Sequence, residues 1–99
     1  MDKVSSALGL AKKAGKLLAG FDSVVNGIRS GEVCLMALSS DLSAKSRKEA
    51  VFFAQKGEVV WIELPLNMDQ IASVLHRRTG ILGILDEQMA RLIRKTVTN

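Results

Sequence analysis

The chain has 99 residues, of which 47% are hydrophobic and 24% charged, with a net charge of +4 and one cysteine. This length and apolar content predict one domain over residues 1–99 with a single core. Cys34 and the lone His76 are too few for a disulfide or a metal site, so we expect a reduced cytoplasmic setting, no metal and no cofactor. The start of the sequence lacks the apolar run of a signal peptide, and no apolar run reaches the length of a membrane span, so we expect neither feature and no membrane partner.

The positive charge is concentrated at the two ends of the chain. Residues 1–31 carry five basic and two acidic side chains, as do residues 76–99, whereas residues 32–75 carry four basic and six acidic ones. If the fold brings the two ends together, they form a basic patch that attracts phosphate. The alternative is that the basic residues are scattered and serve only solubility.

The first third of the chain predicts two helices. Asp2 caps the first helix, which ends at Gly15, and residues 16–19 are predicted to be extended. Residues 20–31 then form a short helix between two glycines. Its apolar residues share one face, and the opposite face is lined by Asp22, Asn26 and Ser30. The alternative for this segment is an ordinary amphipathic connector helix whose polar face is exposed to solvent and binds no ligand.

The rest of the chain continues to alternate strands and helices. Strands are predicted at 33–38, 59–62 and 81–85, and helices at 44–56, after Asn67 and after Asp86. Cys34 is predicted to be a small core residue, and Trp61 either stacks on a base or, as is usual in an apolar strand, packs in the core. In the last helix, the residues predicted to face inward are Met89, Leu92 and Ile93. The alternation predicts an α/β fold, a three-layer α/β/α sandwich with a small mixed sheet.

Three segments are predicted to meet at one end of this sandwich: the start of the central helix, the loop at 39–41 and the basic loop at 76–80. Gly20 lets a bulky ligand approach the backbone, and the free N–H groups that follow it suit phosphate. The arginines of the basic loop suit phosphates and guanine edges. No catalytic motif of the GxGxxG, GxxxxGK[ST], HExxH or GxSxG type is present, so no catalytic residues are assigned.

Several segments of the sequence resemble those of a known family: residues 8–17 (LGLAKKAGKL), Gly20, residues 28–31 (IRSG) and residues 39–43 (SSDLS). Together these resemble the YlxQ-type bacterial proteins of the kink-turn-binding ribosomal-protein superfamily. The resemblance spans nearly the whole chain. It implies an α/β/α sandwich and RNA binding, typically to kink-turns with tandem sheared G·A pairs.

The central helix departs from the family's kink-turn motif, Gly-x-Asn-Glu-x-x-Lys-x-x-x-Arg-Gly. At its four polar positions this chain carries Asp22, Ser23, Asn26 and Ser30. The spacing is kept, but the motif's Glu, Lys and Arg are not. Arg29, next to the last position, is a candidate partial replacement for the Arg, and the basic loop is a second source of phosphate affinity.

These observations predict a non-enzymatic RNA-binding protein that recognises structured RNA, such as ribosomal RNA or the ribosome, and not DNA. The alternative is a protein-interaction adaptor that has lost kink-turn specificity, and a small-molecule enzyme is a more remote one. Phe21 either stacks on a base or packs at the start of its helix. The predicted RNA-binding residues are Gly20, Phe21, Asp22, Ser23, Asn26, Ser39, Asp41, Arg77, Arg78, Thr79 and Gly80.

Overall fold

The computed structural model describes residues 2–98, in which five helices alternate with four strands. In chain order they are α1 (Lys3–Lys13), β1 (Leu17–Ala19), α2 (Phe21–Arg29), β2 (Leu35–Leu38), α3 (Ala44–Lys56), β3 (Val60–Glu63), α4 (Met68–Leu75), β4 (Ile81–Ile84) and α5 (Glu87–Thr98). The alternation is confirmed. Within this range no helix is long and apolar enough to span a membrane.

The predicted helix ends are also confirmed at the start of the chain. The Asp2 carboxylate accepts a hydrogen bond from the Ser5 amide at 2.7 Å, which caps α1 and lowers the pKa of Asp2. Gly15 follows the end of α1 at φ +70°. Gly20 and Gly31 flank α2 at φ +97° and +79°, a region that favours glycine.

The sheet has the strand order β1-β4-β2-β3. β4 runs antiparallel to both of its neighbours, and β2 runs parallel to β3. The predicted mixed sheet is therefore confirmed. Because β1 and β2 point the same way and β4 lies between them in the opposite sense, the carboxyl ends of β1 and β2 meet the amino end of β4 at one edge.

Helices cover both faces of the sheet. On β2, Leu35 and Ala37 pack with the residues of α1, α4 and α5, whereas Met36 and Leu38 pack with those of α2 and α3. This alternation follows from the two-residue period of a strand. Since β2 is buried on both faces, the three-layer α/β/α sandwich is confirmed.

The prediction that Leu92 faces the core is wrong. Leu92 is 43% exposed, while Ala90 and Ile93 on the same helix are buried. At about 100° per residue, Leu92 lies about 100° around α5 from Ile93, outside the stripe that contacts the sheet. The small Ala90 occupies the inward position instead.

Two other core assignments hold only in part. Cys34 precedes β2 and lies half-buried at the edge of the core. Trp61 packs against the α2 and α3 side but is also half-buried, because β3 is an edge strand. The Arg47 guanidinium carbon lies 5.2 Å from the Trp61 ring centroid and covers part of the ring.

Candidate nucleic-acid interface

The three predicted segments do meet at the edge of the sheet where β1 and β2 end and β4 begins. The Gly20 amide donates to the Ile81 carbonyl at 2.9 Å, and the Ser39 amide donates to the Gly80 carbonyl at 2.9 Å. These bonds fix the start of α2 and the loop after β2 on either side of the segment 79–81. We call this region the sheet-edge surface.

Arg77 lies against the start of α2. A Cβ added at Gly20 would lie 2.7 Å from Nη2 of Arg77 and 3.6 Å from its Cζ. The close approach predicted for a ligand at Gly20 is therefore made by a side chain of the chain itself. A guanidinium at the amino end of α2 leaves a cation next to the free amides of the helix, and both groups favour an anion.

A groove of about 410 Å³ extends from Arg77 along β1. Its polar lining comes from Ser23, Lys12, His76 and Arg77. The Lys12 ammonium donates a hydrogen bond to the Leu75 carbonyl at the end of α4, and this bond holds α1 beside the 76–80 loop. The two ends of the chain therefore contribute cations to one groove. Neither Lys12 nor His76 was among the predicted site residues.

The exposed face of α2 carries Asp22, Ser23, Asn26, Arg29 and Ser30, as its amphipathic pattern predicts. The opposite face is buried and includes Val24 and Ile28. Polar side chains thus form a stripe that runs the length of α2 from the sheet-edge surface.

Phe21 packs rather than points outward. It is half-buried, and its ring lies edge-on to Phe53 with centroids 5.9 Å apart. Phe21 therefore packs at the start of its helix, which is one of the two alternatives that the sequence left open.

Three of the predicted site residues are buried and shape the loops. Ser39 is fully buried, and its hydroxyl has no hydrogen-bond partner among residues 2–98. Thr79 is 8% exposed, and its hydroxyl donates to the Ile81 carbonyl and accepts from the Ile81 amide. A Cβ at Gly80 would lie 2.9 Å from the Ser39 hydroxyl and 2.7 Å from a Leu42 methyl. These residues therefore support the surface without presenting their side chains to a ligand.

Asp41 and Arg78 are exposed but have partners on α4. The Asp41 carboxylate accepts from the Met68 amide at 3.0 Å, at the first turn of that helix. Arg78 Nε lies 3.1 Å from the Asp69 carboxylate, with side chains 62% and 83% exposed. Such an exposed ion pair is weak, so Arg78 remains available to an anion. Arg77 and Arg78 thus point to different helices, α2 and α4.

No metal-ligand cluster accompanies these groups in the part of the chain that the structure describes. Within residues 2–98 no three His, Cys, Asp or Glu side chains gather closely enough to hold a metal ion. Arg77, Lys12 and Ser23 converge beside the amides at the start of α2, and Arg78 lies on the α4 side of the same loop. Their chemistry is that of anion and hydrogen-bond recognition.

Comparisons with known proteins agree with this architecture. The sequence profile of the ribosomal protein L7Ae/L30e/S12e/Gadd45 family matches residues 2–93. The RNA-binding protein YlxQ of Enterococcus faecium is 24% identical over 95 residues, which are 96% of this chain and 91% of that protein. The solved structure of a protein with unknown function from Bacillus halodurans matches over 100% of both chains with a TM-score of 0.92 and 24% identity, which supports the fold. The chain therefore belongs to the ribosomal protein L7Ae/L30e/S12e/Gadd45 family, as a YlxQ-type member.

Proposed function

We propose that this protein is a non-enzymatic RNA-binding protein that recognises structured RNA through the sheet-edge surface. The membership of its family and its similarity to a relative named as RNA-binding support this proposal. A rigid platform of mixed polar groups suits RNA, which proteins recognise largely by shape, unstacked bases and 2′-hydroxyls.

The observation that carries the proposal is the position of Arg77 over Gly20. It sets a cation at the amino end of α2, beside the exposed Ser23 and the groove that Lys12 lines. A phosphate there meets two positive side chains and the helix amides together. Asn26, one turn further along α2, is then placed to bond a base edge or a sugar.

The pattern of polar positions on α2 also indicates which class of RNA the protein binds. Because the spacing of the kink-turn motif is kept on α2, we take kink-turn RNA, including that of the ribosome, as the expected ligand. The proposal places the protein in the cytoplasm, where translation occurs, and expects no DNA partner.

The arginines provide the direct test. Arg77→Ala with Arg78→Ala removes two cations from the sheet-edge surface, so RNA affinity falls and the slope of log K against log salt flattens by about two. Arg91→Ala with Arg94→Ala on α5 removes the same charge from another part of the surface and leaves the slope close to that of the wild type. Equal slopes for the wild type and the Arg77/Arg78 variant would contradict the proposal.

The competing function is a protein-interaction adaptor. It is favoured by one observation, that the exposed stripe of α2 carries Asp22, Ser23 and Ser30 where the family motif has Asn, Glu and Arg. A stoichiometric protein partner that survives nuclease treatment, together with no RNA binding by the pure protein, would favour the adaptor.

A further inference from the structure

A second concave site lies at the other end of α2 and α3. The two helices run in the same direction, and their carboxyl ends enclose a cleft of about 490 Å³. Ile28 and Phe53 supply apolar surface, and Arg29 and Lys56 supply cations. The nearest acidic residues in the sequence, Glu32 and Glu58, do not line it. We call it the helix-end cleft.

The cleft adjoins a cluster of aromatic rings with cations on them. Phe53 lies edge-on to Phe52 with centroids 5.3 Å apart, and Phe52 is 57% exposed. The Arg29 guanidinium carbon lies 5.3 Å from the Phe53 centroid, and the Lys56 ammonium lies 6.0 Å from the Phe52 centroid. Both contacts are within cation–π range. An apolar wall with a guanidinium beside it suits a flat, partly polar group such as a nucleobase, and the two cations suit its phosphate.

The close packing of the two helix ends supports the shape of the cleft. A Cβ at Gly57 would lie 2.5 Å from a methyl of Ile28. Because Gly57 has no side chain, Ile28 packs directly on the end of α3, and the neighbouring Arg29 lies close enough to reach the Phe53 ring. The guanidinium is thereby held beside the ring before any ligand binds, which reduces the entropy lost on stacking.

The cleft is also within reach of RNA bound at the sheet-edge surface. The nine residues of α2 span about 14 Å at about 1.5 Å each, which is the rise of about four nucleotides at about 3.4 Å each. The exposed stripe with Asn26 and Ser30 runs between the two sites. A strand that leaves the sheet-edge surface along α2 therefore arrives at Arg29.

We propose that the helix-end cleft binds an unpaired base of the RNA held at the sheet-edge surface, with the base stacked on Arg29 and the Phe53 side of the cleft and its phosphate beside Lys56. This inference rests on the proposed function. It extends the interface from one end of α2 to the other and adds a preference for RNA with a single-stranded segment next to the structured part.

The test uses three forms of one kink-turn hairpin: without an extension, with four unpaired nucleotides, and with four abasic nucleotides that keep the phosphates. The extension is placed at the 5′ end in one set and at the 3′ end in another. Stacking on one base predicts that the wild type binds the extended hairpin at least about fivefold more tightly than the abasic one, in one of the two sets. Equal affinities in both sets would overturn the inference.

The variant Arg29→Met with Lys56→Met keeps the apolar stems and removes the stacking plane and the charge. Because this variant also loses two positive charges, which weakens its binding to every hairpin, the gain is taken as the ratio of its affinities for the extended and the abasic hairpin, and this ratio should fall to about one. Arg91→Met with Lys95→Met on α5 is the matched control and should keep the gain. Loss of the gain in this control as well would overturn the inference.

A readout on the wild type alone covers the case in which the cleft variant does not fold. The fluorescence of 2-aminopurine in the extension should change on binding, because the base leaves the stacked strand for the cleft, and unchanged fluorescence in the complex would overturn the inference. If the wild type does not bind the unextended hairpin at all, the proposed function itself fails, and this result is distinct from binding without any base-dependent gain.

Discussion

The guanidinium of Arg77 occupies the space that a side chain at residue 20 would fill. The distance from its Nη2 to a Cβ built on Gly20 would be 2.7 Å, and Gly20 also has a φ of +97°. Gly20 is thus required by its backbone conformation, and a side chain at this position would also displace the guanidinium that lies over it. The position of the cation at the start of α2 depends on there being no side chain beneath it.

Gly20→Ala should therefore affect both stability and binding. The positive φ costs of the order of 1–3 kcal/mol for alanine, which urea unfolding measures. The new methyl also displaces Arg77, so RNA affinity falls severalfold. Gly15→Ala is the matched control, since Gly15 has φ +70° but no atom of residues 2–98 within 4 Å of its Cβ position. It should lose stability and keep its RNA affinity.

A double-mutant cycle separates the two effects of residue 20. With Arg77→Ala in place, Gly20→Ala has no guanidinium to displace and should reduce RNA affinity little further. Losses that simply add in free energy would show that Gly20 contributes to binding independently of Arg77.

Restoring the family motif on α2 should increase kink-turn affinity. Asp22→Asn, Ser23→Glu, Asn26→Lys and Ser30→Arg all change exposed side chains, so each should alter the free energy of unfolding by no more than about 0.5 kcal/mol. The combined variant gains two positive charges, which steepens the salt slope by about two for any RNA. Its gain in affinity should be larger for an intact kink-turn than for one with disrupted G·A pairs. An equal gain for both would limit the effect to charge.

The Cys34 thiol should react more slowly in the folded protein than in the unfolded chain. Burial raises its pKa, with a smaller contribution from the nearby Glu87 carboxylate, so less thiolate is present at a given pH. The pH profile of its reaction with a disulfide reagent should have a higher midpoint in buffer than in urea. Because the folded state favours the neutral thiol, this contribution to stability is complete below the unfolded pKa and is lost as the pH rises above it.

Glu87→Gln tests whether burial or the Glu87 carboxylate contributes more to the raised pKa of Cys34. It should lower the midpoint of the Cys34 profile only in part, since burial is the larger cause. Coincident profiles in buffer and in urea would contradict the raised pKa.

The inward face of α5 can be tested by two truncations. Ile93 is fully buried, so Ile93→Ala should cost about 2–5 kcal/mol of unfolding free energy. Leu92 is 43% exposed, and Leu92→Ala should cost much less, about 1 kcal/mol or below. Similar losses from both substitutions would reinstate Leu92 as a core residue.

The architecture could be predicted because local signals agree along the chain. Asp2 caps α1 as expected, and Ser43, a typical capping residue, caps α3 by accepting from the Ser46 amide at 3.2 Å. Gly20 and Gly31 mark the two ends of α2. The unbroken apolar run of β2 indicates a strand that is covered on both faces. Each of these signals depends on residues close together in the sequence.

The parts that could not be predicted depend on tertiary packing. Lys12 enters the groove because its ammonium bonds to Leu75, 63 residues away. Two lysines in the last turn of α1 were the only sequence signal for it. Ser39 reads as an exposed loop serine, but the close packing of Gly80 and Leu42 buries it. Leu92 was wrongly predicted to face inward, because the inward position of that turn is occupied by Ala90, two residues earlier.

Kink-turn recognition by the sheet-edge surface can be tested by titrating the purified protein with three RNAs at two salt concentrations. The RNAs are a kink-turn, the same RNA with its G·A pairs disrupted, and a plain duplex. We expect salt-sensitive binding that is tightest for the intact kink-turn. Equal salt-sensitive binding to all three would contradict kink-turn recognition by α2 and leave a general RNA-binding surface, and no binding to any of them would contradict RNA recognition by the sheet-edge surface altogether.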